Sequence, residues 1–156
     1  MNRLGVYDTT LFVNSIGCPT CRVPYGKRLR EYYQAKLDTM CQDCQSRYSR
    51  APLRLLDCKK PTCQPLALDA PHTIDHPCSD CSQHWEQLLN YLSAINILFE
   101  IRHSIVRGLD YYTKTVFEFQ PNNEAGSQTT ILAGGRYEGL LSKIGGPSTP
   151  CNGFST

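Results

Sequence analysis

The stretch VRGLDYYTKTVFEF, residues 106–119, and the stretch LAGGRYEGL, residues 132–140, decide how this chain is read. The first turns at Gly108 and then alternates through TKTVFEF, the period-two pattern of a half-buried strand. The polar run QPNNEAGSQ reads as a turn and TTILA as the next strand, followed by a helical RYEGLLSKI that ends before Gly145, Gly146 and Pro147. Arg107 offers a planar fork suited to phosphate or carboxylate, and Tyr111, Tyr112 and Tyr137 offer phenols that hydrogen-bond a polar heterocycle. Gly108, Gly134 and Gly135 carry no side chains, which permits close backbone approach to a ligand. Together these residues point to a small-molecule site for a ligand with an anionic group. The plainer alternative is a surface arginine beside tyrosines that merely pack.

Working outward, TTLFVNS (9–15) reads as a strand running into the turn-like IGCPTC. PYGKRLREYYQAKL (24–37) has Leu29, Tyr32, Tyr33 and Leu37 at helical spacing, and QDCQSRYSR (42–50) is a second short helix stopped by Pro52. Residues 51–77 are proline-rich and broken. QHWEQLLNYLSAI (83–95) is the strongest helix, with Trp85, Leu88, Leu89, Leu92 and Ile95 in one stripe expected to face the core. After residue 96, ILFEIRHSIV is rich in β-formers.

The chain has 156 residues, 40% hydrophobic and 19% charged, a composition of ordinary globular proteins. No apolar run approaches the roughly 20 residues of a membrane span, and MNRLGVYDTT lacks a secretory apolar segment, so a cytoplasmic location is expected. Nine cysteines are the outlier, and eight of them fall between residues 18 and 81. In a chain without a secretory signal, such clustering points to metal rather than disulfides. Cys18, Cys21, Cys41 and Cys44 spell C-x2-C-x19-C-x2-C; Cys58, Cys63, Cys78 and Cys81 spell the looser C-x4-C-x14-C-x2-C. Each set suits a four-sulfur zinc site and is the expected grouping; quartets drawn from both sets remain open because spacing alone does not fix the pairing. Buried free thiols and a redox role are the alternatives. Four thiolates leave no open position for water, so such zinc is structural. His76 and His84 lie close enough in sequence to replace a thiolate, and Cys151 is left over. Counting eight thiolates and two zinc ions turns the formal +2 charge into about −2, which argues against a surface that coats nucleic acid.

VRGLDYYTKTVFEF with LAGGRYEGL resembles the histidine-specific motif pair of histidyl-tRNA synthetases, which are class II enzymes. NSIGCPTCR, CQDCQSR and APLRLLDCK resemble the insert of cysteine-rich bacterial members, and the likeness runs from about residue 4 to about 154. The resemblance implies an α+β fold: part of an antiparallel class II sheet interrupted by a small helical zinc-binding insert. It divides the chain into a core strand at 1–15, the insert at 16–95, and core strands with the histidine-site motifs at 96–156. It implies that Arg107 contacts the α-phosphate and the histidine carboxylate. Tyr111 and Tyr112 match the tyrosine pair of the histidine site, Tyr112 and Tyr137 lie near the imidazole, and Gly134 and Gly135 line the amino acid. No role is implied for Arg136 beyond structure.

The implied reaction is histidine plus ATP, with Mg2+, giving histidyl-adenylate, then transfer to the histidine tRNA; full-length members are homodimers. The insert is expected near the acceptor arm of that tRNA, with Arg22, Lys27, Arg28 and Arg30 as candidate phosphate contacts. The chain departs from the family at Glu138, where aspartate is commoner, in HTIDHPCSDC, and at the end of TPCNGFST. The family's first and second motifs and its third, ATP-binding motif are not found in the 156 residues, so adenylation by this stretch alone is not expected. The rival readings are a histidine- or RNA-binding module without catalysis and a purely structural zinc domain.

Overall fold

A computed structural model describes residues 8–108, 111–122 and 130–156. The turn expected in QPNNEAGSQ lies outside the described residues from position 123 onward, as do Leu109, Asp110 and the first seven residues.

Among the described residues five strands form one sheet in the order β2-β1-β3-β4-β5: β1 Thr9–Ser15, β2 Phe99–Ile101, β3 Tyr112–Pro121, β4 Leu132–Tyr137 and β5 Cys151–Ser155. Neighbours are antiparallel except β1 and β2, which pair in parallel with Leu11 opposite Phe99. A parallel pair needs a long crossover. Here everything from residue 16 to 98 supplies it, including α1 Pro19–Gln34, α2 Gln42–Arg50, α3 Gln64–Leu68 and α4 Ser79–Ala94. Short 3-10 turns at Leu37–Thr39, Pro52–Leu55 and Thr73–Asp75 join these helices, and α5 Leu140–Lys143 follows β4.

The expected strand at 9–15 and helix at 42–50 coincide with β1 and α2. α1 begins five residues earlier than Pro24 suggested, because Cys18 caps it and Pro19 occupies the first-turn position where a missing N–H costs nothing. Pro24 then sits inside the helix on its exposed side. β4 extends through Arg136 and Tyr137, leaving only four residues of the expected helix, and β5 was not anticipated.

The core is built where the insert meets the sheet. Cys21, Tyr25, Leu29 and Tyr33 recur every four residues on α1 and form its buried face. Tyr25, Leu29 and Tyr33 join Leu55 and Leu56 from the insert, Phe12, Tyr112 and Val116 from the sheet, and Ile16 just after β1 in one cluster. Leu29 and Leu55 are fully buried, each contributing about 1.5–3 kcal/mol. The buried phenol of Tyr25 and the half-buried one of Tyr32 find backbone partners across the insert: Tyr25 donates to the Pro71 carbonyl at 2.8 Å and Tyr32 to the Leu66 carbonyl at 3.0 Å. The stripe on α4 is different. Trp85, Leu88, Leu89 and Leu92 are only half-buried, and Ile95 is 64% exposed. The helix is tied to the sheet near its start, through Asp80 to Lys114 and His84 to Thr115, so the core expectation for that stripe is corrected.

Candidate functional site: a tyrosine cluster beside two cysteine centres

β3 and β4 bring the motif residues together. Tyr112 and Tyr137 are direct cross-strand partners, with ring centroids 4.8 Å apart edge to face and phenol oxygens 3.5 Å apart. Tyr111 stacks on Tyr112 at 4.9 Å and meets Tyr137 edge-on at 5.0 Å. Burial, and then the neighbouring phenols of Tyr112 and Tyr111, push Tyr137 up to about 12, so it remains a neutral donor and acceptor at physiological pH. The Arg107 guanidinium lies 5.4 Å from the Tyr112 ring centre. Its Nη1 donates to Glu118 Oε1 at 3.1 Å.

Sequence reasoning missed Glu118. It also accepts from Gln120 Nε2 at 2.8 Å and Thr130 Oγ1 at 2.9 Å, and Arg102 Nη1 donates to Gln120 Oε1 at 2.6 Å. The signal was present: one carboxylate in the otherwise apolar TVFEF run, on a half-buried strand, requires a partner.

The glycines make room for protein neighbours. A Cβ on Gly135 would sit 2.6 Å from the Thr115 carbonyl and 2.9 Å from Tyr112 Cδ1. One on Gly134 would strike the Gly153 carbonyl and come within 2.7 Å of Phe117 Cζ. At Gly108 a Cβ would meet the Arg54 guanidinium, which reaches over from the insert. Gly153 is a further residue that sequence reasoning passed over: a Cβ there would lie 2.5 Å from Tyr137 Oη. The bare backbone of these strands is what allows the tyrosine rings to lie flat against the sheet.

The eight insert cysteines gather into two quartets, and they do so otherwise than in sequence order. Cys18, Cys21, Cys78 and Cys81 form one, Cys41, Cys44, Cys58 and Cys63 the other, with the sulfurs of each within 4.8 Å of one another. The reason is the crossover: β1 and β2 are neighbours, so the first and last knuckles of the insert meet at the sheet while the middle four close on themselves. Cys18 lies 3.7 Å from Cys21 and 3.9 Å from Cys78, and Cys41 lies 3.8 Å from Cys58. Disulfide sulfurs are about 2.05 Å apart. A tetrahedral zinc with bonds of about 2.3 Å sets its sulfurs about 3.8 Å apart, so both donor sets fit that metal.

Cys18, Cys41, Cys63 and Cys78 occupy the N-cap positions of α1, α2, α3 and α4. Burial pushes Cys18 up, but the Cys21 backbone N–H and the thiols of Cys21, Cys81 and Cys78 outweigh it and bring Cys18 down to about 7. The Cys44 backbone N–H does most to bring Cys41 to about 7. Burial raises Cys21, Cys44, Cys58 and Cys81. His84 belongs to neither quartet; its Nε2 pairs with Thr115 Oγ1 at 2.7 Å. Of the candidate phosphate contacts on α1, Lys27 pairs with Glu31 at 3.8 Å on an exposed face. A cleft of about 620 Å³ lies elsewhere, between α3 and the residues after β2, and contains none of the tyrosines.

The structure superposes on the apo histidyl-tRNA synthetase of S. aureus with a TM-score of 0.70 and 34% identity, covering 98% of this chain and 37% of that one. The sheet and its helical insert are thus those of a class II aminoacyl-tRNA synthetase core. The sequence profile described as Histidyl-tRNA synthetase matches residues 29–156. The histidine–tRNA ligase of Desulfitobacterium hafniense (strain DSM 10664 / DCB-2) is 45% identical over 154 residues, which are 99% of this chain and 36% of that protein. That of Clostridium novyi (strain NT) is 49% identical over 144 residues, 92% of this chain and 33% of that protein. The chain belongs to the histidyl-tRNA synthetase family, and it spans about a third of the length of these relatives. Among the described residues no helix is long and apolar enough to cross a membrane.

Proposed function

We propose that these residues form the histidine-recognising part of a histidine–tRNA ligase. The observation that carries this reading is the pair of phenols, Tyr112 and Tyr137, 3.5 Å apart and flanked by the Arg107 guanidinium. An imidazole presents one N–H donor and one bare nitrogen, and two phenol groups, each able to donate and to accept, answer both. A pocket built this way discriminates strongly against rings lacking those nitrogens, because their absence strands buried polar groups. Arg107 is the cation for the carboxylate end. In the reaction a carboxylate oxygen of histidine attacks the α-phosphorus of ATP and pyrophosphate leaves. Arg107 stabilises the negative charge gathering on the phosphoryl oxygens. The adenylate is then attacked by a ribose hydroxyl of the tRNA, and AMP leaves. Glu118 holds the guanidinium in line before substrate enters.

In this reading Tyr111, Gly134 and Gly135 complete the histidine pocket around Tyr112 and Tyr137. The segment 16–95 is the zinc-stapled insert, and 1–15 with 96–156 belong to the catalytic core. The eight cysteines hold two zinc ions, which supply structural cross-links between short helices. ATP arrives with Mg2+, the working assembly is a homodimer, and the compartment is the reducing cytoplasm, where paired thiolates stay available to metal.

Testing this requires a ligase of full family length that carries these residues. Tyr137→Phe should weaken histidine binding about tenfold or more by calorimetry. Arg107→Ala should lower single-turnover adenylation by about 10²–10³-fold with folding largely retained. Unchanged adenylation in the arginine variant, with unchanged binding in the tyrosine variant, refutes the assignment.

A further inference from the structure

Lys114 stands in β3 with a φ of +54°, a left-handed backbone that non-glycine residues adopt rarely and under strain. It is also buried, at 8% exposure. The register between β3 and β4 slips there: Thr113 pairs with Arg136 but Val116 with Gly135, so Lys114 and Thr115 bulge from the ladder. A glycine would fit that backbone without strain. The side chain must therefore serve a purpose, and its surroundings show which.

The lysine touches both functional regions at once. Its carbonyl accepts from the Ile16 N–H at 2.8 Å and its N–H donates to the Gly17 carbonyl at 3.0 Å, which fixes the two residues entering Cys18. Gly17 itself has a φ of +67° and leaves no room for a Cβ, which would lie 2.9 Å from Cys21 Cβ. The ammonium group pairs with Asp80 at 2.8 Å, inside the Cys78–Cys81 knuckle. It also reaches Glu138 at 3.5 Å, next to Tyr137 in sequence, and Arg136 holds the same carboxylate at 2.9 Å. Tyr112 lies two residues earlier on the same strand. Both knuckles of one cysteine quartet and both phenol-bearing strands thus converge on a single residue.

We propose that Lys114 is a positioning residue that ties the Cys18–Cys21–Cys78–Cys81 centre to the Tyr112–Tyr137 pair, so that the metal-bound knuckles hold the ring pocket in shape. The proposal rests on the reading of that pocket as the histidine site. The second quartet, Cys41–Cys44–Cys58–Cys63, has no such link through Lys114 and serves as an internal control.

The test uses the zinc-loaded, full-length ligase with Lys114→Gly, which keeps the bulge and removes the ammonium, and Lys114→Arg, which restores a cation. Asp80→Asn, on the exposed side of the contact, weakens the same link by removing its charge without touching the strand. Three quantities are read: zinc release to a chromophoric chelator, the Kd of L-histidine by calorimetry, and the split between KM for histidine and kcat. Lys114→Gly should release one of two zinc equivalents about tenfold faster and the other at the wild-type rate. Its histidine Kd and KM should rise about fivefold or more, with kcat changed less, a coupling of ordinary size for linked sites. Lys114→Arg should recover most of both effects, and Asp80→Asn should reproduce the faster release. Wild-type protein that binds no histidine refutes the histidine reading. Wild type that binds histidine while Lys114→Gly matches it within twofold in zinc release and Kd overturns the role given to Lys114.

Discussion

Gly153→Ala is the smallest change that should disturb the ring pocket without replacing any residue proposed to contact the ligand. The added Cβ would lie 2.5 Å from Tyr137 Oη, 2.7 Å from Cε2 and 2.9 Å from Cζ. Ordinary carbon contacts are about 3.5–4.0 Å, so the ring must move by about 1 Å. A lone flexible side chain would yield at little cost. This one is held edge-on by Tyr112 at 4.8 Å and Tyr111 at 5.0 Å, so the displacement disrupts both aromatic contacts, each worth about 0.5–1.5 kcal/mol. The expected loss is about 1–3 kcal/mol, the range found for overpacking. Histidine affinity should fall at least tenfold, about 1.4 kcal/mol, because the Tyr137 oxygen leaves its place beside the Tyr112 oxygen. Urea unfolding and histidine calorimetry on the same protein read the two effects. Gly139→Ala is the matched control: nothing lies within 4 Å of its Cβ, and stability should change by about 0.5 kcal/mol or less. If Gly153→Ala is as stable as Gly139→Ala and binds histidine within twofold of wild type, the packing argument is wrong.

The cysteine grouping can be separated from the sequence-order alternative with two double variants and cobalt as a spectroscopic substitute. Cys18→Ser with Cys78→Ser should lose one metal equivalent, because both residues belong to one quartet, whereas Cys18→Ser with Cys41→Ser should lose both. The reverse pattern would restore the sequence-order pairing. Alkaline stability follows from the tyrosines: burial first raises Tyr25, and burial likewise Tyr137, to about 12, against about 10 in the unfolded chain. A phenol whose folded value is raised favours the folded state at full strength below pH 10, and that contribution is lost as pH climbs from 10 to 12. An ultraviolet titration in which every tyrosine ionises near pH 10 would contradict this.

Much of the scaffold was legible locally. The β-forming run TTLFVNS, the alternation in TKTVFEF and the residue spacing of QDCQSRYSR depend on short-range geometry, so they needed no knowledge of what lies across the sheet. The motif pair also marked Arg107, Tyr112 and Tyr137: β3 and β4, adjacent in chain order, bring the two tyrosines together, and Arg107, in the loop before β3, joins them through Glu118. Glu118 and Lys114 were less visible, since each is defined by partners that a linear reading cannot place: Arg107 for one, Asp80 and Glu138 for the other. The stripe on α4 was misjudged for a related reason. Periodicity shows which face of a helix is apolar, but burial requires a second surface, and that surface is a property of the packed molecule.

By itself, the sequence determined the kinds of atoms available: eight clustered sulfurs, three phenols, one guanidinium, and glycines at the places where rings must pass. Which sulfurs share a centre was decided only by tertiary structure. The parallel pairing of β1 with β2 returns the end of the insert to its beginning, so Cys78 and Cys81 meet Cys18 and Cys21 across 57 or more residues of chain while the nearer Cys41 and Cys44 turn away. Closing so long a loop costs little more entropy than closing a short one, because the cost grows only with the logarithm of length. Sequence distance is therefore a weak guide to partnership, and the direction of one edge strand settles it.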